Sequence, residues 1–215
     1  MRRASSGHRH LTSRRHVSHH SRTVRPAAAY RQRGAANQQP TSGFTAPEVW
    51  HEPRESGQLR YIVNPPGENY EHAVTVQEIR ERLLLLPRQF VEPLEVIQLS
   101  PMTNKRKLFP CYGMQWGANV YLYPIEASLV ERYFRPPTPE QIVEAKMYGG
   151  VWSQENGFHL LTWTRQAIKD FYLNNVLIHE IGHVLDHWNT NQEKRERFAI
   201  WFATEYGFRA TRGRR

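Results

Sequence analysis

The stretch Leu177-Ile178-His179-Glu180-Ile181-Gly182-His183-Val184-Leu185-Asp186 carries the reading of this chain. In a helix, His179 and His183 lie one turn apart on the same face, so both imidazoles can reach a single cation. Glu180, beside the first of them, is placed to act on a water held by that cation rather than on the cation itself. Val176, Ile178, Ile181, Val184 and Leu185 fall at helical spacing, which predicts a buried helix. Two histidines and a glutamate are costly there without a compensating role. Gly182 costs a helix roughly 1 kcal/mol relative to alanine, which implies that something packs or passes close by.

An open zinc site takes three protein ligands and keeps one position for water, so a third ligand is required. His187 cannot supply it on the same helix, because residues at i, i+4 and i+8 spread over roughly 12 Å of axis. The metzincin continuation, with Gly and His after the second histidine, fails because Asp186 and Asn189 stand at those positions. The polar segment Asn189-Thr190-Asn191-Gln192 reads as a break between helices. Beyond it Phe198, Trp201, Phe202 and Tyr206 recur at helical spacing, predicting a second helix from about Glu193 to Tyr206 that returns antiparallel. His183 sits about five residues before the break, so its level on the returning helix falls about five residues after it. Glu196 is the acidic residue nearest that level; Glu193 lies closer to the turn and Glu205 farther along the axis.

The segment His179 to Asp186, followed by Glu196-Arg197-Phe198-Ala199-Ile200-Trp201-Phe202, resembles the gluzincin branch of the zincin metallopeptidases. The resemblance is closest to the anthrax lethal factor-like and Pro-Pro endopeptidase-type catalytic domains. It covers about the last forty residues of the chain. It implies one Zn2+ per chain held by His179, His183 and Glu196, Glu180 as general base, and Asp186 matching the acidic residue after the second histidine. The implied activity is that of a zinc-dependent endopeptidase acting on a protein or peptide substrate. Two departures stand out: the connection between the two helices is shorter than in the lethal factor, and Asn189 stands where that family's catalytic tyrosine would align. Tyr206, Tyr172 and His187 are then the candidate donors to the transition-state oxyanion, and Asp186 the candidate carboxylate supporting a ligand histidine. Two other readings stay open. One is a zincin-fold metal-binding or interaction protein without turnover; the other is a toxin or nucleic-acid-associated protein that works through its basic tail.

With 215 residues, 39% of them hydrophobic, and six tryptophans, the chain can bury one sizeable core. Its net charge of +9 points at first to nucleic acid. The charge is unevenly placed, however: nine of the 29 Lys and Arg residues precede Glu48, where there is no acidic residue, and the other 20 balance the 20 Asp and Glu. Residues 1–47, rich in Arg, His and Ser, are expected to be a disordered tail able to contact an anionic partner such as nucleic acid or a membrane surface. Five histidines there, His8, His10, His16, His19 and His20, could bind metal weakly. Residues 48–215 are expected to form the metallopeptidase-like domain. No apolar run suited to a signal peptide or a membrane span occurs, and the compartment stays open between cytoplasm and delivered effector. Cys111, the sole cysteine, excludes an internal disulfide and reads as a small core residue.

The pattern along residues 48–215 predicts an α+β, zincin-like fold: a small twisted mixed sheet packed on a backing helix and the helix of His179, followed by a C-terminal helix. Strands are expected at Leu59 to Val63, Leu94 to Leu99 and Asn119 to Tyr123, and helices at Val74 to Leu86, Ala127 to Tyr133, Pro139 to Met147 and Thr164 to Trp188. A hairpin through Asn156-Gly157 should join Gly150-Val151-Trp152 to Phe158 to Trp163. Zincins present the outer strand of their sheet to an extended substrate, and the candidates here are Gly149, Gly150 and Val151, or the partner strand of the hairpin.

Overall fold

The computed structural model describes residues 46–52, 57–108 and 110–212, and they form a mixed α and β fold. Strand β1 (Arg60–Val63) leads through the short β2 (Tyr70–Glu71) to helix α1 (Val76–Leu84). Thr75 and Glu78 start that helix with a capping box, the Thr75 N–H donating to the Glu78 carboxylate at 2.8 Å. Pro87 precedes the single turn α2 (Arg88–Val91), after which β3 (Val96–Leu99) lies parallel to β1 with Tyr61 opposite Ile97. Parallel pairing of consecutive strands needs a crossover, and α1 supplies it.

Helix α3 (Asn104–Leu108) then leads to β4 (Gly113–Trp116) and β5 (Asn119–Leu122), an antiparallel hairpin that turns at Gly117, whose φ is +60°. β5 is parallel to β3, giving the order β1-β3-β5-β4 with β4 outermost. Every residue of β3 and β5 is buried, as expected for strands covered on both faces.

β6 (Ile125–Glu126) pairs with β2, and β7 (Val130–Tyr133) follows. The helix expected over Ala127 to Tyr133 is therefore replaced by a turn and a strand. Leu129 sits at φ +57°, which interrupts a helix, and Val130 and Tyr133 are strand formers that pair with β9 (Phe158–Thr162). α4 (Pro139–Met147) begins at another capping box, Thr138 with Gln141, and the hairpin of β8 (Val151–Glu155) and β9 turns at Asn156-Gly157. Both turn residues have positive φ, +49° and +81°, as a two-residue primed turn requires. These strands form a second sheet, β7-β9-β8.

Thr164 caps a continuous helical run made of α5 (Arg165–Phe171), a π turn over Tyr172–Val176 and α6 (Leu177–Leu185). Asn191 caps α7 (Gln192–Phe202), which continues through a second π turn, Ala203–Arg209, into α8 (Ala210–Arg212), beyond the expected end at Tyr206. The core lies where α6 packs on β4, β5 and α7, and Val176, Ile178 and Ile181 are fully buried in it. Gly207 meets the first π turn so closely that a Cβ there would lie 1.8 Å from the Asn174 carbonyl oxygen.

The expected tail lies outside the described residues except for Ala46 and Pro47, so its metal-binding histidines and anionic partner concern residues not described. The Ala46 carbonyl accepts from Arg106 Nη2 at 3.3 Å, which ties the start of the domain to α3. No helix of the described residues is long and apolar enough to cross a membrane.

Candidate metal centre

His179 and His183 occupy successive turns of α6, their rings 4.6 Å apart between centroids and nearly perpendicular. Glu196 reaches them from α7. Its Oε2 lies 3.6 Å from His179 Nε2 and its Oε1 3.6 Å from His183 Nε2. Those separations are too long for hydrogen bonds. Two atoms bound to one tetrahedral zinc at about 2.0–2.1 Å stand roughly 3.3–3.4 Å apart, close to what is found. One ligand atom from each of the three residues lies within 4.8 Å of the other two. Two imidazoles and a carboxylate form the donor set of an open zinc site, so the residues present fit that ion.

Burial supplies the electronic side. Both histidines are almost fully buried, and desolvation, followed by the neighbouring His179, lowers His183 to about 3, so its ring is neutral and its lone pair available. Glu180 is raised well above the usual carboxylate range by burial and then by Glu196 nearby. The N–H of Gln115 on β4 donates to it and opposes part of that rise. Gly113 makes room for the same side chain: a Cβ on Gly113 would stand 2.9 Å from Glu180 Cγ and 2.7 Å from Val176 Cγ1.

Arg195 precedes Glu196 and is itself buried, with 7% of its surface exposed. It donates to the Asp186 carbonyl at 2.7 Å and to the His183 carbonyl at 3.1 Å. A helix end leaves carbonyls without partners, and Arg195 fills two of those places on α6 while the next residue reaches the histidines. Gly182, on the side of α6 that meets α7, carries no side chain to hold the helices apart.

The remaining expectations fare differently. Asp186 is buried, but Oδ1 accepts from the Asn189 N–H at 3.1 Å and from its side-chain amide at 3.0 Å, while Oδ2 and His183 Nδ1 have no hydrogen-bond partner among the described residues. Asp186 thus shapes the turn between the helices instead of supporting the His183 ring. Tyr172 donates its hydroxyl to the Tyr123 carbonyl at 2.7 Å, which assigns it to the core. His187 is exposed beyond the end of α6 and does not join the cluster. The Tyr206 ring packs on Phe90 and Phe202, at 4.8 and 4.7 Å between centroids. Cys111 is buried, and desolvation pushes its thiol up to about 12, in keeping with a core residue.

The outer strand beside α6 is β4, not the hairpin strand that contains Val151. Gly149 and Gly150 lead into β8 and Val151 begins it, in the other sheet, where Gly150 packs under Trp163. Gly113, Gln115 and Arg195 are the site residues that sequence reasoning missed. The turn glycine at Gly117, just before the strand formers Val120 and Tyr121 of β5, is the available signal for a hairpin that would include β4. No protein-family model, curated protein or solved structure matches this chain.

Proposed function

We propose that the protein is a zinc-dependent endopeptidase with a zincin-like, gluzincin-type site. The convergence of His179, His183 and Glu196 at ligand spacing, with Glu180 beside them, carries this reading. Zinc, when bound, supplies Lewis acidity toward the scissile carbonyl and lowers the pKa of its water toward about 7. Glu180, made more basic by burial, takes a proton from the attacking water at its carboxylate and gives it to the leaving amine. Gln115 holds that carboxylate through its N–H, and Gly113 leaves it space. An extended peptide adding to the outer edge of β4 would run along the strand that packs on α6.

A second reading is favoured by one observation. The Tyr172 hydroxyl is committed to the Tyr123 carbonyl, which removes it as oxyanion donor, and His187 lies outside the ligand cluster at an exposed position beyond α6. A metal-binding protein without turnover would have that property. Metal analysis of the full chain, beside Glu196→Ala and a peptide-library digest, separates the readings. The peptidase reading expects zinc near one per chain, its weakening in Glu196→Ala, and cleavage; zinc without cleavage selects the second reading, and absence of zinc removes both.

A further inference from the structure

Arg82 falls on the buried stripe of α1, three residues after Ile79 and beside Leu83, with 5% of its surface exposed. A helix that only backs a core fills such a position with an apolar side chain, because a desolvated guanidinium is costly. Burial lowers the pKa of this one, against the opposing pull of Tyr148 and Asp170. Its hydrogen bonds show what that cost secures. Nε donates to Asn174 Oδ1 at 2.5 Å, and Nη2 donates to the Tyr206 carbonyl.

The two acceptors belong to the two π turns. Asn174 stands in the turn that leads into α6, five residues before His179, and Tyr206 in the turn that follows α7, ten residues after Glu196. The turns meet where Gly207 packs on Asn174. Asn174 is itself fixed, its carbonyl accepting from Tyr148 at 3.1 Å and its side-chain amide donating to Asp170 at 2.7 Å. Arg82 thus ties one helical run to the other at the end remote from their connecting turn. Arg195 ties them at the near end, through the Asp186 and His183 carbonyls. His179 and Glu196 lie between the two ties, and His183 at the nearer one.

From this arrangement we infer that Arg82 is a positioning residue of the metal centre, a role that rests on the metal-site reading: it keeps α6 and α7 from splaying and so holds the Glu196 carboxylate at ligand distance from His179 and His183. Two helices tied at one end can open like a hinge, whereas a second tie fixes their angle as well. Ligand distances at a metal hold to within about 0.2 Å, so a small splay about the near tie withdraws the carboxylate. A guanidinium suits the task because its planar fork addresses two acceptors at once, which an ammonium on a shorter stem does not. π turns are rare and are frequent at functional sites, and here both are held by one side chain.

The test is a double-mutant cycle on the full chain, with zinc affinity read by competition against a chromogenic chelator. Arg82→Met keeps the length of the side chain and removes its donors. It should weaken zinc by at least ~10-fold, about the worth of one hydrogen bond to a charged group. Added to Glu196→Ala it should cost nothing more, within the ~2-fold to which independent sites add. A residue that only stabilises the fold costs the same factor in both backgrounds. Parent-like affinity in Arg82→Met, or the same factor recurring beside Glu196→Ala, therefore overturns the proposal and leaves the metal site standing. If Arg82→Met does not fold, Arg82→Lys enters the same cycle with the same two outcomes, since it keeps the charge near Asn174 and lacks the second nitrogen for the Tyr206 carbonyl. A parent chain that binds no zinc removes the metal-site reading, and this role with it.

Discussion

Gly182 on α6 faces Ala199 on α7 so closely that a Cβ added to the glycine would lie 3.1 Å from the Ala199 Cα. The atom it would meet is backbone, which cannot swing aside, and Phe202 Cβ waits at 3.2 Å. The distance between these helices also sets how far Glu196 must reach to the histidines. Gly182→Ala gains up to ~1 kcal/mol of helix propensity but incurs overpacking of about 1–3 kcal/mol. The expected net is a modest loss of stability with a fall in zinc affinity of ~10-fold or more, on the order of one lost kcal/mol or two. Unchanged zinc affinity in a competition titration would show that the helix spacing does not control the site.

Glu180 is fully inside the site yet outside the ligand set, so its substitution should separate binding from chemistry. Glu180→Gln keeps the shape and still accepts from the Gln115 N–H. Zinc content should stay near that of the parent chain while peptide hydrolysis falls by about 10²–10⁴, the usual contribution of a general base. Equal loss of metal and activity would assign the residue a structural role.

Arg195 should matter for stability as much as Glu196 matters for metal. Its two hydrogen bonds to the end of α6 involve a charged donor, each worth about 1.5–3 kcal/mol. Arg195→Ala is expected to lower stability in urea by ~2–4 kcal/mol, discounted for water reaching the freed carbonyls. Recovery of half or more by Arg195→Lys would point to charge alone and against the two-carbonyl geometry.

Glu48 anchors the other end of the domain and predicts an acid-sensitive stability. Burial would raise its carboxyl, but the Arg106 guanidinium at 2.9 Å and the Tyr123 hydroxyl at 2.9 Å outweigh that and hold it below its ordinary value. A depressed folded pKa stabilises the protein above the unfolded value of about 4.3, and that contribution fades as pH falls through the folded one. Glu48→Gln should therefore be less stable than the parent at pH 7, by about 3–5 kcal/mol at most because Arg106 loses its carboxylate partner. The difference should narrow on acidification toward pH 3. A gap independent of pH would contradict the ion pair.

The convergence of His179, His183 and Glu196 is legible in sequence because it depends on two consecutive helices and a short turn. Helical rise alone then brings Glu196 to the right level, and Gly182 marks the close contact. The Asn156-Gly157 hairpin is legible for a similar reason, since the backbone demands residues that tolerate positive φ there. β4 is harder to see. Its sequence, Gly-Met-Gln-Trp, shows no clean alternation, and Gln115 and Asn119 are buried polar residues in a hairpin whose neighbours lie far off in the chain. β7 differs from the helix expected there because Leu129 takes an uncommon backbone conformation that no local pattern announces, and because pairing with β9 fixes Val130 to Tyr133 as strand. Tertiary contact overrides local preference at both places.

The π turn over Tyr172–Val176 makes the helix from Thr164 to Leu185 a rotation device. One residue beyond α-helical count turns everything downstream by about 100° about the axis. The face that α5 buries and the face on which His179 and His183 stand are therefore set out of phase by that single turn. Removing one residue from it could restore regular hydrogen bonding and still swing both imidazoles away from Glu196. The integrity of the site is thus counted in residues from a threonine cap about four turns away, and a change in length there would undo it without touching any of the three candidate ligands.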